Sequence, residues 1–410
     1  MNYELFIAKR IIAGKEHKNS ISSPIIKIAI VAISLGIAIM SISVSVSLGF
    51  KNKIREKIAG FKGHVQITNY DNNFSDVSTV PIDLNQDFYP NFKNVSGIKK
   101  VQPYINKAGL IRTKSDFQGV VFKGVNKDYD FSFFKDFLVE GRLPNYDQPR
   151  NREILISKSV LDQLQLNLND TINIGFQVES STGFKSRKPV VVGVYKTGFA
   201  EFDNSIIVGD LKEVQRINRW KDNEVGGFEV LIDDFDLLKE KGEEINLNIS
   251  PTLQASTLLQ NFWQLFDWLK LFDNNVWFII GIMILVAGIN MITALLVLIL
   301  ERVQMIGILK SLGSKNKEIR KVFLYNAGYL ILKGLFWGNL IAFVLLLIQK
   351  YFKVIGLDPQ TYNVSTVPVE FNFFYLFLLN IGTLLLCLVM LLVPSMIISK
   401  IQPSKAIKFE

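Results

Sequence analysis

The residue types that most often bind metals or act as nucleophiles are scarce in this chain. Its 410 residues include one cysteine, Cys387, and two histidines, His17 and His64. A single cysteine excludes an intrachain disulfide, and three such residues scattered along the chain do not form the Cys/His sets that hold zinc. We therefore expect neither redox chemistry nor a metal site.

General acid/base and nucleotide chemistry have equally little support. The acidic pairs Asp233-Asp234 and Glu243-Glu244 are typical of solvated loops or helix faces. The chain has no Gly-x-x-x-x-Gly-Lys-Ser/Thr phosphate loop, no Gly-x-Ser-x-Gly elbow and no His-Glu-x-x-His motif. We predict no catalytic residue, no enzymatic activity and no cofactor in this chain.

The composition points to a membrane protein instead. Hydrophobic residues make up 49% of the chain and charged residues 20%. A helix needs roughly 20 apolar residues to cross a bilayer. Four runs meet this length: residues 28–50, 276–300, 322–348 and 373–398.

The charges between these runs predict an orientation. Three segments are basic, with net charges of +3, +4 and +2: residues 1–27, 301–321 and 399–410. The large segment 51–275 has a net charge of −1, and 349–372 is neutral. Cytoplasmic flanks carry the excess of Lys and Arg, so we place both termini in the cytoplasm and the large domain outside. Because the basic residues flank the spans, we expect no nucleic-acid partner.

The large domain has the pattern of a mixed α/β fold raised on two stalk helices. Short β runs are predicted at 64–67, 119–122, 153–156, 171–174, 189–195, 205–208 and 227–232, and helices at 157–166, 210–217 and 234–246. Before the first span, apolar residues at helical spacing within 1–27 predict an amphipathic helix that lies either on the membrane surface or against the protein.

Two features inside the spans carry information on packing or function. Gly334 and Gly338 form a Gly-x-x-x-Gly step, which permits close approach of helices in a bundle or a dimer. Lys333 is the one ionisable residue well inside a span; it is either functional or reaches the interface with its ammonium group.

The short basic loop offers a candidate docking helix. Val303, Ile306, Leu309 and Leu312 form an apolar stripe on a helix that Gly313 ends. Such a helix either docks into a groove on a separate motor protein or lies along the membrane surface.

Several segments together resemble one permease family. Residues 290–314 look like the second span and coupling helix of ABC-transporter permeases of the FtsX/MacB type. Three further segments resemble more narrowly the lipoprotein-releasing LolC/LolE family: Glu4-Leu-Phe-Ile-Ala-Lys-Arg, Ser47-Leu-Gly-Phe-Lys and the ending 394–410. Glu140-Gly-Arg-Leu-Pro and Glu153-Ile-Leu-Ile-Ser are similar to the extracytoplasmic domain of that family.

The resemblance implies a multi-pass inner-membrane permease that works as a pair, homo- or heteromeric, beside two ATPase subunits holding ATP and Mg. Its periplasmic MacB-like domain would have Porter-like and Sabre-like parts. The substrate would be a lipoprotein, passed to a periplasmic carrier. Within the same class, a MacB-like exporter or an FtsX-like regulator of cell-wall hydrolases is the alternative; a membrane-anchored sensor or scaffold without ATPase is the alternative from another class.

From the resemblance together with the residues inside the spans, we expect three sets of site residues. Those contacting the ATPase are Glu301, Met305, Ile306, Leu309 and Gly313. Those facing the substrate within the membrane are Ser41, Ser45, Leu48, Asn290 and Lys333. Those contacting the carrier are Ser180, Ser181 and Phe184 in the segment 177–189, which is shorter and more polar than the hairpin of family members that recruit the carrier.

We predict that single cysteines in a Cys387→Ser background report the orientation. A cysteine at Ser181 should react with an impermeant maleimide in intact cells, whereas one at Ser314 should react only after permeabilisation, because the basic loop is cytoplasmic. The reverse pattern of labelling would overturn the orientation.

Overall fold

The computed structural model describes residues 3–13, 22–72, 76–114, 116–147, 151–177 and 184–402. These residues form two compact units. The helical unit consists of the described residues within 1–51, 269–355 and 367–410, and the α/β unit of those within 52–268 and 356–366. The predicted fold class, a four-span helical membrane domain with a mixed α/β domain, is confirmed.

Among the described residues, four helices are long and apolar enough to cross a membrane. Three of them contain one predicted span each, and the predicted span 373–398 begins in the fourth helix and ends in the short helix that follows it. The four helices are α2 (Ser22–Lys62), α9 (Trp263–Glu301), α11 (Asn316–Phe352) and α13 (Phe373–Ser395). Shorter helices accompany them: α1 (Tyr3–Ala13), α10 (Val303–Ser311), α12 (Pro359–Tyr362) and α14 (Ile397–Lys400).

The Gly-x-x-x-Gly step lies where α11 packs against α2. A Cβ on Gly334 would lie 2.6 Å from Ile33 Cγ2, and one on Gly338 would lie 2.5 Å from the carbonyl oxygen of Ser34. Both distances are below van der Waals contact, so the helices approach this closely only because these side chains are absent. The step therefore joins two helices of one chain.

The amphipathic helix α1 packs against the protein, which is one of its two predicted arrangements. Ala8 is buried against Val322 of α11, and the hydroxyl groups of Tyr3 and Ser314 lie 3.3 Å apart. On the other side Phe6 is 46% exposed. The helix thus packs on the protein through one face and leaves apolar side chains free on another.

The α/β unit is built on an eleven-stranded sheet with nine strands in the order β13-β1-β12-β3-β4-β10-β6-β9-β5; β7 pairs with β3 and β8 pairs with β7. A separate ribbon pairs β2 with β11. The strands are β1 (Val65–Asn69), β2 (Ile82–Asp83), β3 (Ile98–Arg112), β4 (Phe117–Val125), β5 (Leu138–Gly141), β6 (Glu153–Ser157), β7 (Ile174–Gln177), β8 (Phe184–Arg187), β9 (Val190–Tyr195), β10 (Ile206–Asp210), β11 (Glu224–Val225), β12 (Gly227–Ile232) and β13 (Leu253–Thr257). The helices are α3 (Ser132–Asp136), α4 (Lys158–Gln163), α5 (Ala200–Asp203), α6 (Leu211–Asn218), α7 (Leu238–Leu247) and α8 (Leu258–Asn261).

Most predicted elements of this unit are present. Six of the predicted β runs contain β1, β4, β6, β9, β10 or β12 residues, and the three predicted helices match α4, α6 and α7. The predicted run 171–174 overlaps β7 only at Ile174, where that strand begins, so its position is wrong by three residues. The longest strand, β3, lies where the sequence predicts none, because Gln102, Asn106 and Lys107 interrupt its apolar pattern.

The end of α2 is held inside the α/β unit by aromatic packing. The ring of Phe61 is fully buried, and its centroid lies 4.7 Å from that of Phe202, 5.4 Å from that of Phe134 and 5.8 Å from that of Tyr195. Gly63, at φ +69°, then takes the left-handed conformation that ends the helix.

We predict that Gly338→Ala destabilises the helical unit by about 1–3 kcal/mol, because the new methyl group would meet a backbone carbonyl that cannot move independently. Gly328→Ala, in the same helix, is the matched control, since its Cβ would meet only a flexible leucine side chain at 3.9 Å. Thermal unfolding of both variants in detergent measures the difference. Equal stabilities would contradict the proposed role of Gly338.

Candidate functional site

An apolar cavity of about 490 Å³ lies in the helical unit between α2, α9 and α13. We call it the membrane cavity. Leu48 lines it from α2, Trp277 and Ile280 line it from α9, and Leu378 and Leu386 line it from α13. Its volume lies within the roughly 300–1,000 Å³ typical of ligand sites. Because the helices satisfy their own backbone hydrogen bonds, the walls present mainly hydrocarbon.

One end of the membrane cavity is charged. Lys51 Nζ donates to both carboxylate oxygens of Asp273, at 2.8 and 2.9 Å. Beside this pair, the rings of Phe50 and Phe272 stack with centroids 5.3 Å apart. A cavity with a long apolar wall and an ion pair at one end suits a ligand with hydrocarbon chains and a polar head.

Gly49 allows α2 to lie close to the segment that precedes α13. A Cβ on Gly49 would lie 2.6 Å from the carbonyl oxygen of Pro368. One turn earlier, the amide of Glu370 donates to the carbonyl of Ser45 at 3.1 Å. This approach gives a physical reason for glycine in the motif Ser47-Leu-Gly-Phe-Lys.

The five residues predicted to face the substrate are not all brought together. Leu48 lines the membrane cavity, whereas the other four do not. Ser41 and Ser45 are 1% exposed, and their hydroxyl groups have no hydrogen-bond partner among the described residues. Asn290 is half-buried on α9. The sequence alone singled out none of the α13 residues of the cavity wall.

Lys333 lies on the outer surface of α11. Its side chain is exposed, and its Nζ lies 4.8 Å from the centroid of the Tyr329 ring, one turn away. Such a cation–π contact stabilises an ammonium group outside bulk water. Lys333 therefore does not contribute to the cavity wall within this chain.

The apolar stripe on α10 is largely used inside the helical unit. Ile306 is fully buried in its core, and Met305 and Leu309 are half-buried against it. Leu312 is 77% exposed and Ile308 is 52% exposed. The apolar surface that α10 leaves free thus consists of Ile308 and Leu312 rather than of the whole stripe.

A lysine that sequence reasoning missed fastens α10 to the end of the chain. Lys310 Nζ donates to the carbonyl oxygens of Ile398 and Ile401, each at 2.7 Å. These carbonyls belong to α14 and to the residue directly after it. Of the remaining predicted contact residues, Glu301 is exposed at the end of α9, and Gly313 has a φ of +91° after α10.

The predicted carrier-contact segment contains a hairpin. β7 pairs with β8, and Phe184 in β8 is 68% exposed; Ser180 and Ser181 lie outside the described residues. By register, Leu110 and Phe117 lie on the same face of the sheet, 36% and 68% exposed. We call Leu110, Phe117 and Phe184 the apolar sheet patch. Its first two residues have no signal in the sequence, because strand pairing alone brings them to Phe184.

The described residues contain no group of side chains suited to histidine or metal chemistry. His64 Nδ1 accepts the amide hydrogen of Ile232 at 3.1 Å, and burial, helped by nearby Lys99, lowers the pKa of His64 to about 4. Its ring is therefore neutral at physiological pH and occupied by the backbone. No three His, Cys, Asp or Glu side chains of the described ranges come together as a metal site.

Comparisons with known proteins agree with this architecture. The profile of the MacB-like periplasmic core domain matches residues 28–246, more than half of the chain, and that of the FtsX-like permease C-terminal matches residues 277–403.

Among curated proteins, the lipoprotein-releasing system transmembrane protein LolC of Neisseria meningitidis is 22% identical, and LolE of Haemophilus influenzae is also 22% identical. Each alignment covers 99% of both chains. An uncharacterized ABC transporter permease of Methanocaldococcus jannaschii is 26% identical over 58% of this chain and 64% of its own. With its four apolar helices and α/β unit, and with the MacB-like profile over more than half of its length, the chain belongs to the FtsX/MacB-type permeases.

Proposed function

We propose that this permease extracts lipoproteins from the inner membrane and hands them to a periplasmic carrier, driven by a separate ATPase. The observation that carries the proposal is the membrane cavity, whose apolar walls and charged end match acyl chains attached to a polar head. The relatives named as lipoprotein-releasing proteins support the same substrate class.

The chemistry of the membrane cavity suits capture of a lipid-modified protein from the bilayer. Acyl chains gain little by moving from lipid to protein, because both environments are apolar. Recognition must therefore come from shape and from the head group. Lys51 and Asp273 can exchange their mutual ion pair for hydrogen bonds to the ester, amide and carbonyl groups near the lipidated residue.

A mechanical path leads from α10 to the cavity within the helical unit. Ile306 is buried in the core of this unit, and Lys310 holds the end of α14. Since α14 directly follows α13, a displacement of α10 would move α13, which forms one wall of the membrane cavity. We propose that closure of the ATPase pushes on Ile308 and Leu312 and narrows the cavity by this path.

The expected assembly follows from the charge distribution and the family. We propose that two permease subunits work with a pair of ATPase subunits, which bind ATP and Mg, and that this chain hydrolyses nothing. Both termini and the loop 301–321 would lie in the cytoplasm and the α/β unit in the periplasm. The apolar sheet patch, Leu110, Phe117 and Phe184, is the surface we assign to the carrier, since exposed apolar groups of this kind mark protein contacts.

We predict that Gly382→Trp blocks lipoprotein release. Gly382 lines the membrane cavity, and a Cβ there would meet no atom within 4 Å, so the side chain of a tryptophan can leave the helix without a clash and extend into the cavity. In proteoliposomes with the ATPase, transfer of lipoprotein to the carrier should fall by roughly tenfold or more while basal ATP hydrolysis persists.

Gly281→Trp is the matched control, because Gly281 on α9 also has open space around it but does not line the cavity. This variant should release lipoprotein at the normal rate. Undiminished release by Gly382→Trp would show that the acyl chains do not use this cavity.

We predict that Leu312→Asp uncouples the ATPase. The substitution places a charge on the exposed apolar surface of α10, where docking would bury it without a partner. Stimulation of ATP hydrolysis should be lost. Leu247→Asp, at the similarly exposed end of α7, should leave it intact. If Leu312→Asp retained stimulated hydrolysis in the purified complex, α10 would not be the docking helix.

A further inference from the structure

A row of buried polar side chains crosses one face of the large sheet. Ser256 on β13 is the register partner of Gln66 on β1. Gln66 lies opposite Glu229 on β12, and Glu229 lies opposite Gln102 on β3. All four residues are at most 9% exposed. A buried sheet face is normally apolar, so this polar row calls for a physical explanation.

An internal ion pair explains part of the polar row. Lys123 Nζ lies 2.7 Å from Glu229 Oε1, and both side chains are at most 3% exposed. Gln102 donates to Glu229 at 3.3 Å. Burial lowers the pKa of Lys123, and the charge of Glu229 opposes this change. Glu229 thus neutralises the buried Lys123, and Gln102 donates a hydrogen bond to the Glu229 carboxylate.

The rest of the polar face borders a cleft of about 430 Å³, which we call the polar cleft. Gln66, Tyr104 and Asn106 belong to its floor, and the segment 260–265 forms a wall. Asn106 is 5% exposed, yet its Oδ1 accepts no hydrogen bond from any described residue. A buried carbonyl oxygen without a donor costs free energy, so Asn106 is an acceptor that a ligand could satisfy.

The charges at the rim argue against an anionic ligand. Asp76 pairs with Lys62, whereas Glu201 forms no ion pair with any of the described residues. Burial and the neighbouring Asp76 raise the pKa of Glu201. Among the residues that the structure describes, the rim therefore offers the Glu201 carboxylate as an unpaired hydrogen-bond acceptor and no free cation to attract phosphate or carboxylate groups.

The side chains of the polar cleft suit hydroxyl groups better than a peptide backbone. Extended peptides bind by adding to the edge of a sheet, but this floor is a sheet face, whose backbone groups already pair within the ladder. It presents amides and hydroxyls, which both donate and accept, as sugar hydroxyls do. Trp263, 58% exposed at the wall, offers an indole on which the C–H face of a sugar ring can stack.

We propose that the polar cleft binds an uncharged oligosaccharide, which stacks on Trp263 and is held by Glu201 and the amides of the floor. The lining of the polar cleft is polar, whereas that of the membrane cavity is apolar. The proposal does not depend on lipoprotein release. The α/β unit would thereby contact a glycan in addition to its protein partners.

Calorimetric titration of the full-length permease in lipid nanodiscs tests the proposal, with triacetylchitotriose and maltotriose as probes at up to about 10 mM. An acetylated, amidated Gly-Ser-Asn-Gly peptide is the comparison ligand. We expect one saccharide to bind and the peptide not to bind. Trp263→Ala and Glu201→Gln should each weaken saccharide binding by roughly tenfold.

Two matched controls separate the polar cleft from general effects. Trp277→Ala changes an exposed tryptophan of the membrane cavity, and Glu240→Gln changes an exposed carboxylate on α7; both should bind saccharide normally. Binding of the peptide alone, binding of neither saccharide, or equal losses in the control variants would each overturn the proposal. Lipoprotein release by Trp263→Ala is measured in parallel, so that a failure here is distinguished from a failure of the proposed function.

Discussion

The close contact between α2 and α11 is the constraint on which the helical unit depends. In a bilayer, helices gain little from burying apolar side chains, so close packing at small residues must hold them together. Gly334 and Gly338 allow α11 to meet Ile33 and the carbonyl of Ser34 directly. Val44 and Leu48 lie on the same helical face of α2 as Ile33, about three and four turns further along. At the level of Val44 and Leu48, α2 faces α9 and α13 rather than α11. The space between these three helices is the membrane cavity.

A small number of contacts also explains how the short helix α10 could control the membrane cavity. α10 is too short to be stable alone, and it is held by the burial of Ile306 and by the two hydrogen bonds of Lys310. These contacts lead to α14 and hence to α13. On α10, Ile308 and Leu312 remain as exposed apolar surface. A partner that pushes on them would therefore push on a helix that is already joined, through α14, to the α13 wall of the membrane cavity.

The sequence was sufficient for features that depend on local pattern. Apolar length predicted the four long apolar helices, and Gly313 marked the end of α10. It failed at β3, where Gln102 and Asn106 occupy buried positions because of partners on other strands. For the same reason Lys310, Leu110, Phe117 and the α13 wall of the cavity were missed: tertiary contacts between distant residues, rather than spacing along the chain, bring each of them to its place.

The most direct test of the central claim is depletion of this permease in its host, followed by separation of the inner and outer membranes and identification of the lipoproteins in each. The account predicts that mature lipoproteins destined for the outer membrane accumulate in the inner one, because extraction from the inner membrane is the step that this chain performs. Normal sorting of lipoproteins in cells depleted of the protein would contradict it and would favour export or regulation of cell-wall hydrolases as the function.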